Sequence, residues 1–129
     1  MLVDNINRLK GKKYPCSVSL VMDLVGGKWK TVILAHLRDK EKRYSELRKE
    51  IPDVTERTLS LQLKQLESDG LVSRHVFGDK PPIKVVYKLT DLGLSFIPVL
   101  DAIVNWGNIV VDEYNIELDN SCQKEKPQV

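Results

Sequence analysis

Cysteine, histidine and aromatic residues are scarce in this 129-residue chain, which has two cysteines, two histidines and only 6% Phe, Trp and Tyr. Cys16 and Cys122 stand far apart and make no disulfide framework. With only His36 and His75 beside them, no cluster at metal-ligand spacing forms, and no cofactor is expected. Paired carboxylates, a nucleophile–base set and a phosphate-cradling loop are also missing, which argues against an enzyme. Long apolar runs are absent too. Asp23, Pro98 and Asp101 interrupt the longest ones, well short of the roughly 18 residues of a membrane helix. Lys10 to Val25 mimics a signal peptide, but Asp23 within it and the lack of a small-residue cleavage site argue against export. The expectation is a reduced, cytoplasmic protein with no membrane association.

What remains is an ordinary globular balance, with 42% apolar and 29% charged residues. The length suits one domain, since domains usually run about 100 to 200 residues. Net charge is only +2, yet it is divided unevenly. Residues 1–90 hold 18 Lys and Arg against 11 Asp and Glu, whereas residues 91–129 hold 2 against 7. A cationic part joined to an anionic part points to a polyanionic partner such as nucleic acid, or else to solvated charges that happen to cluster.

The residue pattern divides the chain into a flexible arm over 1–13, a folded domain over 14–116 and a flexible tail over 117–129. Val18, Leu20, Val21, Leu24 and Val25 mark a short helix from Ser17, ended by Gly26-Gly27. Trp29, Val32, Ile33, Leu34 and Leu37 mark a second. Ser45 reads as the N-cap of a third through Lys49, closed by Ile51-Pro52. Thr55 opens the clearest helix, in which Leu59, Leu63 and Leu66 share one face and Gly70 supplies the C-terminal cap. Two strand-like segments, Leu71 to Phe77 and Ile83 to Leu89, flank the loop Gly78-Asp79-Lys80-Pro81-Pro82. Thr90 then caps a final helix to about Tyr114.

A short helix, a tight turn, a longer helix and a hairpin make up the winged helix-turn-helix pattern. The expected fold is therefore mainly α with a β-hairpin wing. Such a unit holds one helix far enough out to enter the roughly 12 Å major groove. With the three leucines inward, Arg57, Thr58, Leu61 and Lys64 fall on the far side and Ser60 on a flank. Thr55, Glu56, Arg57 and Thr58 form the first turn, the part of such a helix that reaches base edges. Arg57 is the best base reader, because a guanidinium can bond both guanine acceptors at once. Leu61 suits a thymine methyl. In the wing, Lys80 at the tip and His75 and Lys84 on the strands are candidates for phosphate, as are Arg43 and Tyr44 before the supporting helix. Each of these has a plainer alternative as a solvated or packed side chain.

From Leu94 to Tyr114, thirteen of twenty-one residues are apolar. Of the polar ones, Asp101, Asn105, Asn108 and Asp112 lie on one narrow stripe at spacings of four, three and four. A helix apolar on nearly every other face exceeds what a small domain covers alone. It implies a homodimer, with Ile97, Leu100, Val104, Trp106 and Val111 as contact candidates; the alternative is a helix buried wholly within its own chain. A two-fold pair would space its reading helices about 34 Å apart.

Together, Cys16, Gly26-Gly27-Lys28-Trp29, Arg43-Tyr44-Ser45-Glu46-Leu47, Thr58-Leu59, Leu63, Leu66-Glu67, Gly70-Leu71-Val72, Val86-Tyr87-Lys88-Leu89-Thr90 and Gly93 resemble the HxlR-type, MarR-like winged-helix transcription regulators of bacteria. The resemblance runs from about Tyr14 to Gly107. It implies a cytoplasmic dimer, joined through its first and last helices, that binds double-stranded operator DNA. The family's basic and polar positions carry over onto Lys28, Arg43, Arg57, Thr58 and Lys64.

The resemblance also singles out Cys16, because several members look like sensors of electrophiles or oxidants through a cysteine near the amino terminus. Lys12, Lys13 and a helix start would favour its thiolate. The alternative is a small buried apolar residue. With Cys122 in the expected tail, alkylation alone is the simpler sensing chemistry. The sequence shows no small-molecule pocket, although a groove between the last helix and the DNA-binding core could hold an effector. A winged-helix module that binds protein rather than DNA is the competing function.

Overall fold

A computed structural model describes Leu9 and residues 11–120. The elements run α1 (Ser17–Val25), α2 (Lys30–His36), β1 (Lys42–Arg43), α3 (Tyr44–Glu50), α4 (Glu56–Ser68), β2 (Val72–Phe77), β3 (Lys84–Leu89), α5 (Asp91–Ser95) and α6 (Ile97–Tyr114). The three strands form an antiparallel sheet of order β1-β3-β2, with the helices packed against it. This is the expected mainly helical fold with a hairpin wing. One strand escapes the sequence pattern: β1, in which Lys42 pairs with Tyr87 and Arg43 with Val86. Two residues are too few to display a period of two.

Leu59, Leu63 and Leu66 are all buried, at 0%, 1% and 0% exposure, and close on Ile33, Leu34, Leu47, Ile51 and Val54. Burying one such side chain is worth about 1.5–3 kcal/mol, so this stripe sets which way α4 faces. Its ends are also fixed. Thr55 Oγ1 accepts from the Thr58 N–H at 3.1 Å. At the other end Gly70 takes φ +82°, and the Leu71 N–H returns to the Leu66 carbonyl at 3.0 Å.

The α3 cap differs from expectation. Tyr44 and Ser45 lie inside the helix, and the Arg43 N–H donates to Glu46 Oε1 at 2.7 Å. A glutamate reaching back from the first turn does the work assigned to serine. The final helix is also divided, at Phe96. Pro98 has no N–H to offer the Leu94 carbonyl, and α6 restarts with Leu100 N–H on the Phe96 carbonyl at 3.0 Å.

Thr90 and Gly93 lock the hairpin to α5. Thr90 Oγ1 donates to the Gly70 carbonyl at 2.6 Å and accepts from the Gly93 N–H at 3.1 Å. A Cβ on Gly93 would stand 2.2 Å from the Leu71 carbonyl oxygen, closer than any real contact. Glycine is required there by space, not by dihedral angle.

A buried polar knot ties α2, β1 and α3 together. Glu50 Oε1 accepts from Lys42 Nζ at 2.7 Å and lies 2.8 Å from His36 Nδ1. Its partners are 8% (His36) and 5% (Lys42) exposed. On the surface, Arg38 bonds Asp101 at 2.8 Å, joining the α2–β1 loop to α6. That hydrogen bond to Asp101 raises the guanidinium's pKa.

Beyond its first turns α6 leaves the body of the protein. Val104 and Trp106 are 50% and 68% exposed, and Ile109 is 61%. Although each apolar run is short, the segment Asp91–Tyr114 as a whole is long and apolar enough to cross a membrane. Isolated polar residues such as Asp101, Asn105, Asn108 and Asp112 interrupt every apolar run while leaving the average apolar.

Replacing Gly93 by Ala is expected to destabilise by about 1–3 kcal/mol, as overpacking against backbone does, and to lower the Tm in thermal unfolding. Glu50→Gln leaves Lys42 charged and buried without its anion. A loss of about 3–5 kcal/mol is expected, measured as a lower denaturant midpoint at constant m.

Candidate nucleic-acid interface

With the leucine stripe inward, α4 presents its opposite face to solvent. Arg57, Ser60, Leu61 and Lys64 are exposed there, as expected, while Thr58 is half-buried. Leu61 is 49% exposed, an apolar side chain held on an otherwise polar face. Neither Arg57 nor Lys64 makes a hydrogen bond or ion pair with another described residue. Both cations are therefore available to a partner.

The rest of the first turn is partly committed. Thr55 spends an acceptor on its cap, and Glu56 lies 3.9 Å from Arg48. Arg48, which the sequence pattern does not single out, also donates to the Val54 carbonyl and so braces the turn between the two helices. Its signal was hidden because a helical arginine reads first as a solvated charge.

Tyr44 is positioned rather than free. Its hydroxyl donates to the Glu56 carbonyl at 3.2 Å and accepts from Ser60 Oγ at 3.2 Å. This is a brace under the start of α4, so the phosphate contact expected of Tyr44 gives way to a positioning role. Serine and tyrosine together tie the supporting helix to the reading helix.

The wing is a regular hairpin, with Arg74 opposite Tyr87, His75 opposite Val86 and Phe77 opposite Lys84. Because side chains alternate across a strand, Arg74 shares a face with Tyr87 and Lys42, whereas His75 and Lys84 share the other face with Arg43. Arg43 and Lys84 meet in a shallow depression with Tyr44, Ser45, Ile83 and Val85. Lys84 Nζ also lies 5.4 Å from the Phe77 ring centre, and His75 Nε2 lies 3.0 Å from Ser73 Oγ. Lys80 is exposed in the loop. Lys28 is exposed before α2, over the Trp29 ring at 5.1 Å.

A second groove lies between α4 and the wing, lined by Tyr44, Ser60, Lys64, Glu67, Arg74 and Tyr87. Arg74 is a residue that sequence reasoning missed. Its strand position became informative only once the register placed it on the α4 side.

The expected dimer contacts divide. Val104 and Trp106 stand exposed, and Ile97 and Val111 are half-buried. Leu100 is 3% exposed within its own chain's core, which removes it from the set. The sequence placed it on an apolar face, but the body of the same chain covers that face at the start of α6. Val18 and Met22 on α1, 67% and 56% exposed, add further uncovered apolar surface.

Cys16 is exposed and occupies the N-cap position of α1 without a side-chain capping bond. The buried apolar alternative is thereby removed. Lys12, expected to support its thiolate, lies 3.6 Å from Asp23, to which the Tyr14 hydroxyl also donates. Cys122 lies outside the described residues.

Comparison with known proteins agrees with this geometry. Residues 24–115 match the family model described as HxlR-like helix-turn-helix. An HTH-type transcriptional regulator of Methanothermobacter thermautotrophicus is 42% identical over 112 residues, covering 87% of this chain and 82% of that protein. The redox regulator HypR in its reduced form superposes with a TM-score of 0.73 at 38% identity, over 78% of this chain and 98% of the other. Quinone-bound YodB of Bacillus subtilis gives 0.61 at 27% identity, over 71% and 96%. The chain therefore belongs to the HxlR-like helix-turn-helix family, whose members here are transcriptional regulators with a winged-helix, MarR-like fold and not enzymes.

Proposed function

We propose that the protein is a sequence-specific transcriptional regulator that binds a palindromic DNA operator as a homodimer. The observation that carries this reading is the face of α4, where Arg57 and Lys64 stand exposed with no ion-pair partner among the described residues while the leucine stripe anchors the opposite side. Arg57 reads a base in the major groove, with Leu61 against a thymine methyl and Thr55, Glu56, Thr58 and Ser60 around them. Lys64, Arg43, Lys80, Lys84, His75 and Lys28 serve backbone phosphates.

The dimer reading rests on α6, whose Val104, Trp106 and Ile109 are left uncovered by the described residues. A protein partner suits this helix better than lipid, because Asp101 is tied to Arg38 and the polar stripe continues through Asn105, Asn108 and Asp112. Such a dimer is soluble and cytoplasmic. Residues 14–116 form its working domain, flanked by the arm and the tail.

A thiol-based response is the second part of the proposal. It is supported by the exposure of Cys16 and by similarity to HypR and YodB, solved in redox and quinone-bound forms respectively. The Cys16 thiolate adds to an electrophilic ring carbon of a quinone: one S–C bond forms, the C=C π pair moves onto a carbonyl oxygen that takes a proton from water, and the ring becomes a thioether-linked hydroquinone. This adduct at the head of α1 shifts the dimer away from DNA.

In fluorescence anisotropy, the wild type is expected to prefer DNA from upstream of its own gene over a scrambled duplex by at least about 10³-fold. Equal binding to both would favour a protein-binding module. Arg57→Ala should cost about 1–3 kcal/mol on the operator and relax preference at one base pair, whereas Lys64→Ala should weaken all sequences alike. Cys16→Ser is expected to retain operator affinity and to resist release by a quinone. Release of the serine variant would place the sensing group elsewhere.

A further inference from the structure

The groove between α4 and the wing holds two cations that the described part of the chain does not neutralise by hydrogen bonds or ion pairs, Lys64 from the helix and Arg74 from β2. They come from different elements, and only the hairpin register brings them to one place. Arg74 lies opposite Tyr87 on the α4 side of the sheet, while Lys84 and Lys88 on β3 and Arg43 on β1 belong to the far face. The groove's polar floor is already satisfied. Tyr44 gives its proton to the Glu56 carbonyl, and Ser60 gives its own to Tyr44. The groove therefore offers cationic donors to whatever enters it, and one opposing carboxylate, Glu67, on its wall.

We propose that Arg74 and Lys64 together clamp one phosphate of the DNA backbone, making the base of the wing, in addition to its tip, an anchoring point. The proposal rests on the DNA-binding reading above and adds a residue and a subsite to it. Lys64 is seven residues beyond Arg57, about 10 Å along the helix at 1.5 Å per residue. When the first turn of α4 reads base edges, this later part of the helix lies toward the strand that borders the major groove. A phosphodiester there meets a planar guanidinium from one wall and an ammonium from the other, a geometry suited to phosphate oxygens. Glu67 opposes the same phosphate and keeps the contact from becoming indiscriminately tight.

The test compares wild type, Arg74→Ala, Arg74→Lys and Glu67→Gln on the operator fragment and on a scrambled duplex across a salt series. Thermal unfolding of each variant confirms that it is folded. Arg74→Ala is expected to weaken both duplexes by about tenfold near 0.1 M salt and to reduce the slope of log K against log salt by about 1. Arg74→Lys should keep the slope, and Glu67→Gln should tighten binding to both duplexes. An unchanged slope in Arg74→Ala, with wild type binding DNA in the usual salt-dependent way, overturns the clamp. Loss confined to the operator also overturns it, since Arg74 would then be reading a base. Wild type that binds neither duplex defeats the DNA-binding reading itself, a result distinct from either.

Discussion

Burial of the Leu59, Leu63 and Leu66 stripe is the constraint on which the remaining architecture depends. Three residues on one face of a thirteen-residue helix determine which of its faces is left to solvent. Rotating α4 to present another face would expose apolar surface worth several kcal/mol, so Arg57 and Lys64 are held outward by side chains that never approach DNA. The neighbouring polar contacts refine this arrangement. Arg48 braces the turn, Tyr44 and Ser60 connect α3 to α4, and Thr55 with Gly70 define where the helix begins and ends. Each link is small, and together they leave the reading helix little freedom relative to its support.

The same economy explains the wing. Thr90 serves three backbone groups at once, through its hydroxyl to Gly70 and from Gly93, and through its N–H to the Leu71 carbonyl at 3.1 Å. Gly93 permits α5 to approach that carbonyl. The hairpin is thereby fixed at its base rather than at its loop, which lets a six-residue strand pair project while keeping its register with α4. Rigid attachment there is what gives a cation on β2 a defined position beside a cation on α4.

Opposite functions require opposite surfaces, and the chain separates them. The basic half surrounds α4 and the wing. The acidic, apolar half is α6, attached through Leu100 and the Arg38–Asp101 pair before it leaves the body. An effector acting near α1 and a partner packing on α6 would both bear on the helices around α2. That helix is in turn joined to α3 through Glu50, so the polar knot connects α2, against which α6 packs, to the helix that supports α4.

Much of this was legible in the amino-acid order. Leucines at four- and three-residue spacing identified α4 and its inward face, because helical geometry makes residues with that spacing neighbours. Thr55, Gly70 and Thr90 marked their boundaries through local hydrogen bonding, which needs no distant partner. Features that depend on residues far apart in the chain were decided only by the tertiary structure. The strand β1 exists because Val86 and Tyr87 lie beside it, and the α3 cap comes from Glu46 because Arg43 is held extended by that pairing. Leu100 is core rather than interface because the chain folds back over one end of α6, and Arg74 joins Lys64 because of sheet register. Local periodicity specifies which face of an element is apolar, but what covers that face depends on contacts that sequence spacing does not contain.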